Sequence, residues 1–278
     1  MGVPAITIEH GTSHLSVNNR LFDTLGGWYE HFLTFCLKHY CKDYYGVSEA
    51  CCEWSAHFGI HSKGTLYNAV EIEEFREITL KSTVDYRRDH QIPADAKVIT
   101  FTGRLIPEKG IRQLVAAVKK INESRIAGKK APVYLMIAGE GPLKDVLSEM
   151  ADAYTILLGQ IDFEHVVMLL NASDIFCLPS DSEGFPTSVL EAVACRCFVL
   201  TTYRGGAKEL ILDDSYGIIM KENTERVIRE NLEKILDNEK YCQKAEEKSY
   251  DRLTRYFTWD ATAAKVMQIA KEMNGEKE

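Results

Sequence analysis

Between residues 97 and 220 short apolar runs recur, each closed by a glycine, a proline or a polar loop and each followed by helical spacing. VITFTG (98–103) leads into a basic loop and a helical pattern over 111–121. VYLMIAG (133–139), ILLG (156–159), DIFCL (174–178), CFVLTT (197–202) and YGIIM (216–220) follow. Runs this short, bounded by turn residues, read as buried strands. Six strands alternating with helices fold into a doubly wound parallel sheet, and such a sheet takes its ligands at the C-terminal ends of its strands.

The fourth run opens the stretch DIFCLPSDSEGFPTSVLEAVAC. Pro179 closes the strand, and Pro186 suits the first turn of a helix, where its missing N–H would be unpaired anyway. Over 187–196 the residues Val189, Leu190 and Val193 fall on one side. Glu183 then lies in a loop beside a helix N-terminus, with Glu191 about a turn and a half along that helix. Free N–H donors and a partial positive charge at this end suit a diphosphate. Carboxylates are poor phosphate ligands, so the two glutamates face something rich in hydroxyls, such as a ribose and a hexose flanking the diphosphate. Two solvated glutamates on an amphipathic helix account for the spacing equally well. The turn after VITFTG adds Arg104 and Lys109, five residues apart, and reads as a phosphate-binding strand-to-helix turn.

GRLIPEKG, GEGPLKDVL, NASDIFCLPS, EGFPTSVLE and GGAKELI occur in that order over residues 103–211. Together they resemble the nucleotide-sugar half of retaining family 4 glycosyltransferases of the GT-B fold. The resemblance implies that Gly103, Arg104 and Lys109 hold the donor diphosphate, that Glu191 accepts from the ribose hydroxyls and that Glu183 holds the transferred sugar. It implies that backbone groups of Gly184, Phe185, Thr187, Ser188 and Val189 line sugar and phosphate, and that the loop after Gly159 carries the base. His10, at the end of a strand, matches a histidine set against the donor sugar and diphosphate. A capping role is the plainer reading of such a histidine, and His14 is given none. The catalytic set implied is His10, Glu183, Arg104 and Lys109, with no metal and no cofactor beyond the donor. The activity implied is transfer of a hexose, with retention, in polysaccharide or glycolipid biosynthesis. A phosphorylase would need a lysine-bound pyridoxal phosphate motif, which is absent. An epimerase would need acid and base residues on both sides of the sugar, which the short first part is poorly placed to supply.

That first part is shorter than the resemblance leads one to expect. Residues 3–9 read as a strand, 19–40 as a long aromatic helix, 44–47 as a strand, 48–58 as a helix and 65–67 as a strand. About 75 residues precede the linker, half of an ordinary doubly wound domain. The expected organisation is therefore a truncated acceptor-side domain over 1–78, a donor domain over 79–256 and a final helix over 257–278 crossing back to the first part. Residues 77–96 read as a polar linker, and Thr258 as the N-cap of the final helix, with an apolar stripe of Trp259, Ala263, Val266 and Ile269. If the first part is incomplete, the chain is instead a binding module that holds a nucleotide sugar without transferring it, and its bare edge and apolar surface favour self-association.

A net charge of −8 argues against nucleic acid as a partner. The acceptor expected is a carbohydrate or a lipid-linked sugar, with peripheral contact at the inner face of the cell membrane. No run is long and apolar enough for a membrane span, and the N-terminus has no signal-peptide pattern. The eight cysteines lack the paired spacing of a zinc knuckle and read as structural thiols of a reduced cytoplasmic protein.

Overall fold

The computed structural model of the protein describes residues 5–14 and 19–275; the start of the expected opening strand, at residues 3 and 4, lies outside them. β1 (Ile6–Glu9) and β2 (Asp43–Gly46) form a two-stranded parallel sheet, with Ile8 opposite Tyr45. The helix Arg20–Leu37 connects them, and the Asn19 side chain accepts from the N–H groups of Leu21 and Phe22 at its start. Its periodicity predicts an amphipathic helix, yet none of its residues is buried: Leu21, Phe22, Leu25, Phe32 and Phe35 are exposed, and Trp28 is 78% exposed. Ser48 caps the next helix, Glu49–Ser55, which tightens into the 3-10 turn Ala56–Phe58. The strand expected over 65–67 is only a single bridge from Thr65 to Gly46.

The presumed linker is structured. Residues 72–81 are a helix (Ile72–Lys81) and Tyr86–Asp89 a short second one, so the polar segment 77–96 is a correction to the sequence reading. Phe75 packs edge-on against Phe163 at 5.3 Å between ring centres. Arg87 donates to Asp174 at 2.7 Å and to the carbonyls of Ala172 at 2.8 Å and Ala96 at 3.0 Å. Charge here is tertiary contact, not solvation, which composition cannot reveal.

The six-stranded sheet comprises β3 (Val98–Thr102), β4 (Tyr134–Ala138), β5 (Thr155–Gly159), β6 (Ile175–Leu178), β7 (Phe198–Thr202) and β8 (Ile218–Met220), in the order β5-β4-β3-β6-β7-β8. All pairs are parallel, and β3, β6 and β7 are buried throughout because helices cover both faces, which is why these strands read as unbroken apolar runs. The chain winds outward from β3 to β5 and then returns to place β6 beside β3. That reversal opens a crevice at the C-terminal ends of β3 and β6.

The last helix, Trp259–Met273, begins at Thr258, whose hydroxyl accepts from the Ala261 N–H. It returns to the first sheet: Ile269 packs with Tyr45 and Leu66, and the Thr262 hydroxyl donates to the Tyr67 carbonyl at 3.1 Å. Trp259, expected in its apolar stripe, is 53% exposed.

At the N-terminal end of the large sheet Asp174 gathers Arg87, Lys97 and the Val98 N–H. Glu246 faces the same place; burial, and then the Asp174 charge, push its carboxyl from 4.5 to about 7, against the pull of Lys97 and Arg196. A carboxyl raised in the folded state is harmless while protonated, and its penalty grows as pH rises from the unfolded value through the folded one. Glu246→Gln is therefore expected to stabilise the chain by about 1–2 kcal/mol at about pH 8 and hardly at all at about pH 4, the figure being reduced for partial exposure. Thermal unfolding at the two pH values checks this; an equal shift at both would remove the electrostatic cause.

Candidate functional site

A cavity of about 520 Å³ opens at the C-terminal ends of β3 and β6, closed on its far side by the end of β1. Gly103 and Arg104 follow β3, and Lys109 ends the 3-10 turn Pro107–Lys109 that starts the helix Ile111–Ala127. Opposite them the loop after β6 brings Glu183, Gly184 and Phe185, then Thr187, Ser188 and Glu191 of the helix Thr187–Ala194. The two loops are tied by the Asp181 N–H, which donates to the Glu108 carbonyl at 2.7 Å.

Lys109 and Glu183 form an ion pair at 2.5 Å, with side chains only 16% and 11% exposed. They thus enter the cavity as one nearly neutral unit. An ammonium has three donors, so Lys109 can hold the carboxylate and still offer a proton to a phosphate. Arg104 is exposed at the rim, where its planar fork suits phosphate oxygens. Glu191 lines the far wall; burial raises its carboxyl above the ordinary glutamate value, opposed by a hydrogen bond from the Thr187 hydroxyl. An acid held this way accepts hydroxyl protons without presenting a fully hydrated charge.

The loop 183–185 is held from the first part of the chain. Thr12 Oγ1 donates to the Glu183 carbonyl at 2.7 Å, Ser48 Oγ to that of Gly184 at 3.0 Å and Asn68 Nδ2 to that of Phe185 at 2.8 Å. The Gly206 N–H also donates to the Gly184 carbonyl, at 2.7 Å. Gly184 has to be a glycine, because a Cβ there would lie 1.9 Å from the His10 carbonyl oxygen. Gly205, at φ +59, would bring its Cβ to 2.3 Å from the Glu183 carbonyl oxygen. These contacts pack EGFP and the GG pair, separate motifs in the sequence, against each other.

Of the site residues expected from sequence, His10, Gly103, Arg104, Lys109, Glu183, Gly184, Phe185, Thr187, Ser188 and Glu191 all border this one cavity. Two do not. Val189 is buried in the core and its N–H already donates to the Pro186 carbonyl at 3.1 Å. Gly159 ends β5 beside Gly139, whose N–H donates to its carbonyl at 2.7 Å, and does not itself line the cavity. Thr12, Ser48 and Asn68 were not singled out by sequence reasoning; isolated polar residues at element ends carry no pattern, and only tertiary contact shows their task.

Among the described residues no helix is long and apolar enough to cross a membrane. The chain is similar to an uncharacterized glycosyltransferase of Methanocaldococcus jannaschii, 21% identical over 275 residues, covering 96% of this chain and 68% of that protein. It is also similar to the glycogen synthase of Mycobacterium tuberculosis, 27% identical over 188 residues, covering 66% of this chain but 44% of the relative. Among solved structures, Anabaena HepE in complex with UDP and glucose superimposes with a TM-score of 0.75 at 17% identity, covering 98% of this chain and 72% of that one. The architecture is thus the GT-B type expected from the motifs. Residues 83–252, from the Tyr86–Asp89 turn through the whole six-stranded sheet, match the family described as glycosyl transferases group 1, and the chain belongs to that family.

Proposed function

We propose that the cavity binds a nucleotide sugar and that the chain transfers its hexose, with retention, to a carbohydrate or lipid-linked acceptor in polysaccharide or glycolipid synthesis. The observation that carries this reading is the meeting, in one crevice, of Arg104, the Lys109–Glu183 pair, the first turn of the helix Thr187–Ala194 and Glu191. The cations and helix N–H groups would take the diphosphate, Glu191 the ribose, and Glu183 with His10 the sugar. Catalysis would then rest on electrostatic stabilisation of the departing phosphate, without a metal. Among the described residues that line the cavity none stands out as a covalent nucleophile, so a front-face displacement assisted by the leaving phosphate is the proposed course to retention. The names of the similar glycogen synthase and of the HepE complex support donor and product class.

Calorimetric titration with UDP, GDP, ADP and their sugars tests the reading. Glu191→Ala is expected to weaken nucleoside diphosphate and nucleotide sugar alike by about 1–3 kcal/mol, since the ribose is common to both. Glu183→Gln should weaken only the sugar-bearing ligand. Equal affinities in both variants and the parent would remove the assignment. A second reading, a module that binds the donor without transferring it, draws on the small first sheet of two strands; tight binding with no sugar transfer to any glycan or lipid-linked acceptor would favour it.

A further inference from the structure

Outside the cavity, His14, His31 and His57 bring ring nitrogens within 4.8 Å of one another. We propose that they form a binding site for a divalent transition metal of the zinc type. The three come from separate elements: the segment after β1, the helix Arg20–Leu37 and the 3-10 turn Ala56–Phe58. His14 Nε2 and His57 Nε2 are 3.1 Å apart. Two nitrogens on one tetrahedral zinc, each about 2.0–2.1 Å from it, stand about 3.3 Å apart, so this pair already has ligand spacing. The His31 ring centre is 5.0 Å from that of His57 and 5.6 Å from that of His14, close enough for a side-chain adjustment to complete the set. Three imidazoles leave a fourth position for water, and imidazole suits zinc, copper and nickel rather than magnesium or calcium.

The surroundings orient the rings as a ligand shell requires. The Glu30 carboxylate accepts from His14 Nδ1, which directs the His14 Nε2 lone pair to the centre of the cluster. His57 Nε2–H then donates to His14 Nε2, and metal binding shifts that proton to His57 Nδ1. Trp54 stacks on His57 at 4.8 Å and 10°, and Phe58 packs against His31 at 4.8 Å. The helix Arg20–Leu37 buries none of its side chains; Lys38, just past its end, donates to the carbonyls of Phe58 and Gly59. A metal here would staple that helix to the 3-10 turn, a role metals fill where apolar burial is short. It would also fix His14, and with it the segment whose Thr12 and Ser13 touch the loop carrying Glu183.

The test titrates zinc chloride into the full chain, with any histidine-rich tag removed, and records the cobalt(II) spectrum in parallel. One equivalent per chain, tetrahedral cobalt bands and a raised unfolding temperature are expected. His14→Gln, His31→Gln and His57→Gln should each weaken zinc at least tenfold, Glu30→Gln about 10–100-fold, and His61→Gln not at all. Protection of His14, His31 and His57 in the parent chain from diethylpyrocarbonate by zinc reads the same site without any substitution that could unfold it. No stoichiometric zinc, no protection of these three, or unchanged affinity in folded variants would overturn the proposal. None of these readouts depends on nucleotide binding, so the donor assignment stands or falls separately.

Discussion

Alanine at Lys109 is expected to weaken nucleoside diphosphate binding more than alanine at Arg104, and neither should affect the free nucleoside. Each cation offers a charge-assisted hydrogen bond to phosphate, worth about 1.5–3 kcal/mol, a ten- to hundredfold loss for Arg104→Ala. Lys109→Ala removes such a bond and also strips Glu183 of its 2.5 Å partner, leaving a nearly buried carboxylate facing the anionic ligand. Repulsion then adds to the loss. The combined change Lys109→Ala with Glu183→Gln should recover part of the diphosphate affinity, a coupling that two independent sites would not show. Magnesium or manganese should leave the affinity of the parent chain unchanged, because the proposed phosphate clamp is made of side chains and a helix end. Calorimetry on the parent, Arg104→Ala, Lys109→Ala, Glu183→Gln and the double variant decides it. Additive losses, or a strict need for either cation, would exclude Lys109 and Glu183 as a coupled phosphate site.

Much of this site was legible because chemistry in a doubly wound sheet is confined to strand ends. Gly103, Arg104 and Lys109 after one strand and residues 183–191 after another were readable as neighbours once six buried runs were recognised. Their pairing was not, since nothing in GRLIPEKG or EGFPTSVLE says that Lys109 would face Glu183 at contact distance. Val189 shows the opposite limit: a motif position can be there for the core, and its N–H already has a partner. The first part of the chain misled more. Periodicity over 19–40 predicts a helix but not whether a face finds cover, and this helix has no buried residue. Charge over 77–96 predicted a linker, whereas Arg87 and Phe75 pin two helical pieces to the large domain. The histidine cluster was invisible for the same reason: His14, His31 and His57 have no metal-ligand spacing in sequence and meet only because the helix and the 3-10 turn fold against each other.

Gly184→Ala should produce the largest loss of function for the smallest chemical change. The added methyl would meet the His10 carbonyl oxygen at 1.9 Å, with the Cys51 sulfur at 3.4 Å behind it. Neither obstacle is the free end of a flexible side chain, so the backbones must part. The same carbonyls that would have to move, Glu183, Gly184 and Phe185, are those held by Thr12, Ser48 and Asn68. Overpacking of this kind costs about 1–3 kcal/mol, and displacement of reacting groups by about 1 Å can cost a hundredfold in rate. The damage should be directional. Arg104 sits on the β3 side and keeps its place, so nucleoside diphosphate affinity should fall only a few-fold. Affinity for the nucleotide sugar should collapse, because its sugar would lie between Glu183 and His10. No strand of the six-stranded sheet takes part in the contact, so the main unfolding transition should survive, with added proteolytic sensitivity at the loop 10–14. Equal loss of both ligands would mean that the junction serves the whole fold instead of the sugar pocket, and an unchanged sugar affinity would remove the first part of the chain from the donor site.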